Sequence, residues 1–230
     1  MTTVIVHDAI GAHVAHLPAG HVAGYTTGSG PVPWTAAQFL AHPGAVRIDQ
    51  DPSASDPTAD VLDIESGAAT PASAAAWCKR ARVSYNSATR PGQRKPAVYV
   101  NRSNMTAVAN ELTAAGISGV GIWLAAPGTP QATAEAMIER ASGPFPVIAV
   151  QFAFGGAFDT SVFSAAWLQE VSVTQPKPPA KPPAKPPVPP GQWDDPDFWT
   201  WEQSVMVCGT GKDGKFHLFA LEGAEWVKVR

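Results

Sequence analysis

Residues 60–71 read DVLDIESGAATP, an apolar run that ends in two acids, Asp63 and Glu65, shortly before a helix start at Thr70 and Pro71. In a strand, residues two apart share a face, so Asp63 and Glu65 point one way and Leu62 and Ile64 the other. If the acids face the inside of a barrel, they share one low-dielectric mouth. There one carboxyl group can hold its proton near neutral pH while its neighbour stays ionised. The fold turns on whether the rest of the chain supplies that barrel.

Working outward, short apolar runs recur at VIVHD (4–8), HVAGYT (21–26), AVRID (45–49), PAVYVN (96–101), GVGIWLA (119–125) and VIAVQFAF (147–154), with FDTSVF (158–163) completing the set. Helix-like stretches lie between them: WTAAQFLAH, PASAAAWCKRARVSYN, MTAVANELTAAG and TAEAMIERAS. Thr70 and Pro71 read as an N-cap and N1 pair, and Gly116 as a helix C-cap. Alternating strands and helices, with strands that are almost continuously apolar, predict a parallel sheet covered by helices. The expectation is an α/β fold over residues 1–173, a compact, irregular (β/α) barrel of TIM type with some connections too short for full helices. A doubly wound open sheet is the competing architecture. It calls for a Gly-rich phosphate loop after the first strand, and HDAIGAHVAHL (7–17) holds a single Gly.

The chain of 230 residues continues past the barrel with TQPKPPAKPPAKPPVPPGQ. This KPPA repeat, residues 174–191, lacks core-forming side chains and favours extended polyproline II, a spacer of about 3 Å per residue. Residues 192–230 read as a small antiparallel β module of three strands, for targeting or oligomerisation, with turns at GKDGK and EGAE. The net charge is −3 and no basic face is evident, which argues against nucleic acid as a partner. The cysteines, Cys78 and Cys208, fall in different segments and form neither a disulfide framework nor a metal quartet. The irregular spacing of the histidines carries no ligand signature, so no metal and no cofactor is expected. No run approaches the roughly 20 apolar residues of a membrane span. MTTVIVHDAIGAH lacks a charged n-region, so synthesis in the cytoplasm without a signal peptide is expected.

Chemistry in a β/α barrel sits at the C-terminal ends of the strands. Those ends here carry Asp8, Tyr25, Asp49, Asp63 with Glu65, Tyr99 with Asn101, Trp123 and Gln151, and Asp159 follows in the last short run. Aromatic faces stack on sugar rings while amides and carboxylates bond hydroxyls, so the lining suits a carbohydrate. Asp49 and Asp51 lie in a polar loop and read as solvated. Asp8 also has the spacing of a helix cap, Tyr99 and Trp123 could equally pack the barrel, and Cys78 reads as a small core residue.

The run VLDIE resembles the Asp-x-Glu strand of the family-25 glycoside hydrolases, the lysozyme-like muramidases. AVYVN is similar to their following Tyr-bearing strand, GIWLA to the strand carrying a Trp, and VQFAFGGAFDTSVF to the closing Gln strand and Asp-containing final segment. Order and spacing agree over residues 60–163. The family opens on a Gly-x-Asp-x-Ser strand where this chain has VIVHDAI, so Asp8 matches the first acid by position alone. The whole is also similar to glycosidase-like proteins of bacteriophages of actinobacteria. The resemblance implies hydrolysis of the bacterial cell-wall glycan, peptidoglycan, with Glu65 as general acid. Asp63, Asp8 and Asp159 would stabilise positive charge on the sugar or activate the nucleophile. Tyr25, Tyr99, Asn101, Trp123, Gln151 and Asp159 would bind substrate. Action at the cell wall or within a phage particle would follow. The alternative is a catalytically inactive glycan-binding or structural virion protein on the same barrel, self-associating or joining other virion proteins through its C-terminal module.

Overall fold

The computed structural model describes residues 2–29 and 32–171, and beyond them the backbone of four strands between residues 197 and 228. Two compact units emerge, Met1–Thr174 and Gln175–Arg230. The 174–191 spacer expected from the KPPA repeat lies outside the described residues.

The first unit is a closed barrel of eight strands: β1 (Thr3–Ala9), β2 (His21–Tyr25), β3 (Val46–Asp49), β4 (Val61–Ile64), β5 (Ala97–Asn101), β6 (Gly121–Ala125), β7 (Val147–Ala153) and β8 (Asp159–Ser164). Closure excludes the open doubly wound sheet. Strands β1 to β7 run parallel to their neighbours, whereas β8 is antiparallel to both β7 and β1. The expectation of an all-parallel sheet therefore fails at the last strand. Residues 154–158 are too few for a parallel crossover, which needs a dozen or more, so the chain has to turn back as a hairpin.

Helices cover only part of the outside. They are α1 (Ala36–Ala41), α2 (Pro71–Asn86), α3 (Arg102–Ala114), α4 (Gln131–Glu139) and α5 (Ala165–Gln169), with a 3-10 helix at Gly11–His16 after β1. The C-terminus of α3 shows how local sequence sets an end. Gly116, at φ +67°, follows the last helical residues, and Ile117 N donates to Leu112 O while Gly116 N donates to Thr113 O. This is a Schellman motif, which needs the left-handed conformation that glycine adopts without steric penalty. At the start of α2, Thr70 occupies the N-cap position in extended backbone, but its hydroxyl makes no capping bond. There Pro71, whose missing N–H leaves one donor fewer to satisfy, carries the signal.

Two apolar layers result from the period of two. Val6, Ala23, Ile48, Val61, Ala97, Trp123, Ala149 and Phe163 pack inside the barrel. Leu62, Ile64, Val98, Val100 and Ile122 pack outward against Trp77 and Cys78 of α2, Val108 and Leu112 of α3 and Ile138 of α4. Cys78 is a core residue, 1 % exposed, and burial pushes its thiol up to about 12. The end opposite the mouth is bolted by Asp60. Its Oδ1 accepts from Arg90 and from Arg94 N, and its Oδ2 from Arg47 N and Arg94 Nη1. Arg94 also donates to Gly44, Ala45 and Leu168 carbonyls, joining the starts of β3 and β4 to α5.

In the second unit the backbone forms a four-stranded antiparallel sheet, ordered β12 (Glu225–Lys228), β11 (Phe216–Glu222), β10 (Ser204–Thr210), β9 (Asp197–Trp201). It has one strand more than the turn signals indicated, because DFWTW pairs with β10 from Trp201↔Ser204 to Asp197↔Cys208.

Candidate active site

Each strand brings its chemistry to the mouth by continuing its inward face. Val4 and Val6 of β1 lead to Asp8, Ala23 of β2 to Tyr25, and Ile48 of β3 to Gln50. Val61 of β4 leads to Asp63 and Glu65, Ala97 of β5 to Tyr99, Ala149 of β7 to Gln151, and Phe163 of β8 back to Asp159. Register places Asp63, Tyr99 and Trp123 side by side on three neighbouring strands and Asp8 directly opposite Asp159. Asp8 does not cap a helix: the cap of the following 3-10 helix is Ile10.

The four acids of the mouth sit in different surroundings. Asp63 is 2 % exposed. Its Oδ2 accepts from Gln50 Nε2 at 3.1 Å, while Oδ1 has no partner. Burial, and then the charge of Glu65, push its carboxyl up to about 8, against the pull of the Gln50 hydrogen bond. Asp8, 5 % exposed, accepts from the Tyr25 hydroxyl at 3.4 Å on Oδ2 and has no partner on Oδ1. Burial and the neighbouring Asp159 charge push it up to about 7. Glu65 is half-buried; burial and the Asp159 charge raise its carboxyl above the usual range. Asp159 is also half-buried and raised by burial, but it differs in its donors. Gly155 N donates to Oδ1 at 3.1 Å and Gln151 Nε2 to Oδ2 at 2.9 Å. Donors on both oxygens favour the ionised form.

The expected aromatic and amide lining divides in two. Tyr25 and Tyr99 are half-buried, and burial, reinforced by the charges of the surrounding acids, holds both phenols well above their ordinary range. Trp123 is 1 % exposed and Gln151 2 %, so they floor the site instead of facing a ligand. Trp123 packs edge-on to Tyr99 at 5.3 Å and to Phe163 at 4.7 Å, and its Nε1 donates to Ser161 Oγ at 3.1 Å. Asn101 ends the inward face of β5, but its carboxamide oxygen accepts from Asn104 N at 3.0 Å and Ser103 Oγ at 2.6 Å, capping α3. Its oxygen is committed to the fold.

Asp49 is not solvated; it is fully buried on the outer face of β3. It accepts from Thr27 Oγ1 at 2.7 Å, Asp51 N at 3.0 Å, Asp56 N at 2.8 Å and Trp77 Nε1 at 3.2 Å. It therefore shapes the loop from β3 to β4 and ties it to α2. The residue that reaches the mouth from this strand is Gln50. Its signal was the period of two counted from Ile48, the same rule that aligns Val61, Asp63 and Glu65.

Two pockets open near the mouth. A pocket of about 170 Å³ is lined by Asp8, His13, Tyr25, Asp159 and the 155–158 loop. A second, of about 310 Å³, is lined by Gln50, Asp51, Ser66 and Gly67 with Gly28, Ser29 and Val32. Among the described residues no group of three or more metal-ligating side chains is gathered, and no helix is long and apolar enough to cross a membrane. Such a mouth can hold a proton on one carboxyl group, keep another ionised, and bond hydroxyls between them. Comparison with models of protein families, with curated proteins and with solved structures finds no match.

Proposed function

We propose that this protein hydrolyses glycosidic bonds of bacterial cell-wall peptidoglycan, on an irregular TIM-like barrel of the family-25 glycoside hydrolase type. The observation that carries the reading is the convergence of Asp8, Asp63, Glu65 and Asp159 on one mouth in which their proton affinities differ. Glu65 is the general acid. It is the half-buried member of the Asp-x-Glu pair, so it can reach a leaving oxygen, and its raised proton affinity favours the protonated form a general acid needs. Asp63 is too buried to touch substrate and stays protonated near neutral pH. Stabilising positive charge on the sugar, or activating the nucleophile, therefore falls to Asp159. Asp8 and Tyr25 line the pocket beside it. The C-terminal module would hold the barrel at the wall or within a phage particle, raising local concentration.

A second reading is favoured by the same burial. Asp8 and Asp63, their carboxyls pushed up to about 7 and about 8 and each with an inaccessible, unpartnered oxygen, also suit a barrel that binds glycan without cleaving it. Incubating the full chain with purified, labelled peptidoglycan separates the two. Release of soluble label with new reducing ends is expected; binding without release would establish the scaffold.

A further inference from the structure

Gln151 was expected to bind substrate, yet it is 2 % exposed and both ends of its amide are engaged within the protein. The Tyr99 hydroxyl donates to Oε1, and Nε2 donates to Asp159 Oδ2 at 2.9 Å. We infer that Gln151 is a positioning residue: locked by Tyr99, it fixes the Asp159 carboxylate in place and favours its ionised form at the mouth. This rests on the proposed role of Asp159 for its catalytic meaning, though the geometry stands without it.

The amide has two orientations that differ by a half-turn. In the observed one, nitrogen faces the carboxylate and oxygen takes the Tyr99 proton. In the flipped one, the amide oxygen would meet a carboxylate oxygen, an arrangement tolerable only if Asp159 carried a proton. In the observed orientation the Tyr99 hydroxyl supplies a donor to the amide oxygen, so both ends of the amide are paired. The register between β7 and β8 shifts after this point, with Gln151 opposite Ser161 but Ala153 opposite Thr160. The extra residue, Phe152, lets the hairpin fold back so that Gly155 N reaches Asp159 Oδ1. Glycine is required there, because a Cβ at position 155 would lie 2.0 Å from Phe158 O. The carboxylate is thus held from two directions, by the hairpin backbone and by the Tyr99–Gln151 relay. No comparable pair of donors serves Asp8 or Asp63, each of which keeps one oxygen without a partner.

The test is a carboxyl-carbon NMR titration of the full chain labelled at aspartate, with the Asp159 signal assigned by Asp159→Asn. In Gln151→Glu the donor to Oδ2 is replaced by a second acid, and the Asp159 titration should move up by at least one pH unit, a tenfold loss of ionised form. Tyr99→Phe keeps the ring against Trp123 but leaves the amide oxygen without its donor and the relay less firmly held, and should move it upward by a smaller amount. This milder variant decides the matter if Gln151→Glu does not fold. An Asp159 titration unchanged in every folded variant would overturn the inference. Because no substrate enters the measurement, a protein that fails to cut cell wall can still pass it. One that cuts can still fail it.

Discussion

Replacing Asp63 by Asn should stabilise the protein in alkaline solution and not in acid. The carboxyl group is raised from 3.8 to about 8 by burial and by Glu65, so the folded chain binds this proton more tightly than the unfolded chain. Its contribution to stability is complete below about pH 4 and is lost as pH climbs toward 8. Each pH unit across that window is worth about 1.4 kcal/mol, a ceiling of about 6 kcal/mol. Water reaching the open side of the mouth brings the realised penalty to about 2–4 kcal/mol. Asn cannot ionise and can still accept from Gln50, although its extra N–H needs an acceptor, a cost of about 1 kcal/mol. Asp63→Asn should therefore gain about 1–3 kcal/mol over the parent at pH 8 and lose about 1 kcal/mol at pH 4. For a chain of this size that reversal moves Tm by roughly 5–10 °C between the two conditions. Thermal and urea unfolding of both proteins at both pH values, followed by circular dichroism, would measure it. The same stability difference at pH 4 and pH 8 would refute a protonated, buried Asp63.

Hydrolysis should follow a bell-shaped pH profile whose two limbs are both displaced upward from the ordinary carboxylate range. Activity falls on the alkaline side as Glu65 loses its proton and on the acid side as Asp159 gains one, both above the ordinary carboxylate range; initial rates from pH 3 to 9 would test this, and a plateau extending past pH 9 would contradict it. Gly24→Ala should destabilise the barrel by about 3 kcal/mol, read by urea unfolding. A Cβ there would fall 2.1–2.5 Å from the indole of Trp34, which is buried and donates to Ala9 O at 2.7 Å. Asp60→Asn should cost about 3–5 kcal/mol in the same assay by leaving Arg94 buried without its counter-charge.

The strands and the inward set of site residues were legible because a period of two is a local property: Val61, Asp63 and Glu65 share a face wherever the strand is placed. Counting the same period from Ile48 would have found Gln50. The polar loop around it instead suggested that Asp49 was solvated, and only the indole of Trp77, 28 residues away, explains its burial. The reversal of β8 was foreshadowed by a connection too short to cross over. Asn101 and Thr70 show the opposite limit. Both are cap-type residues at strand-to-helix junctions, yet the side chain of Asn101 caps and that of Thr70 does not. That choice is made by rotamer and neighbouring contacts, which no spacing rule encodes. The exposure of Tyr99 against the burial of Trp123 one strand away is likewise a matter of depth in the barrel, set when the sheet closes.

The most direct test of the account compares the unaltered chain with Glu65→Gln on purified peptidoglycan, measuring reducing ends released and glycan bound in the same samples. Gln keeps the shape and hydrogen-bonding reach of Glu65 but has no proton to give, and such proton transfer is worth about 10²–10⁴-fold in rate. The account predicts release by the unaltered chain, a loss of at least 100-fold in Glu65→Gln, and equal glycan binding by both. Equal release by the two proteins would contradict it.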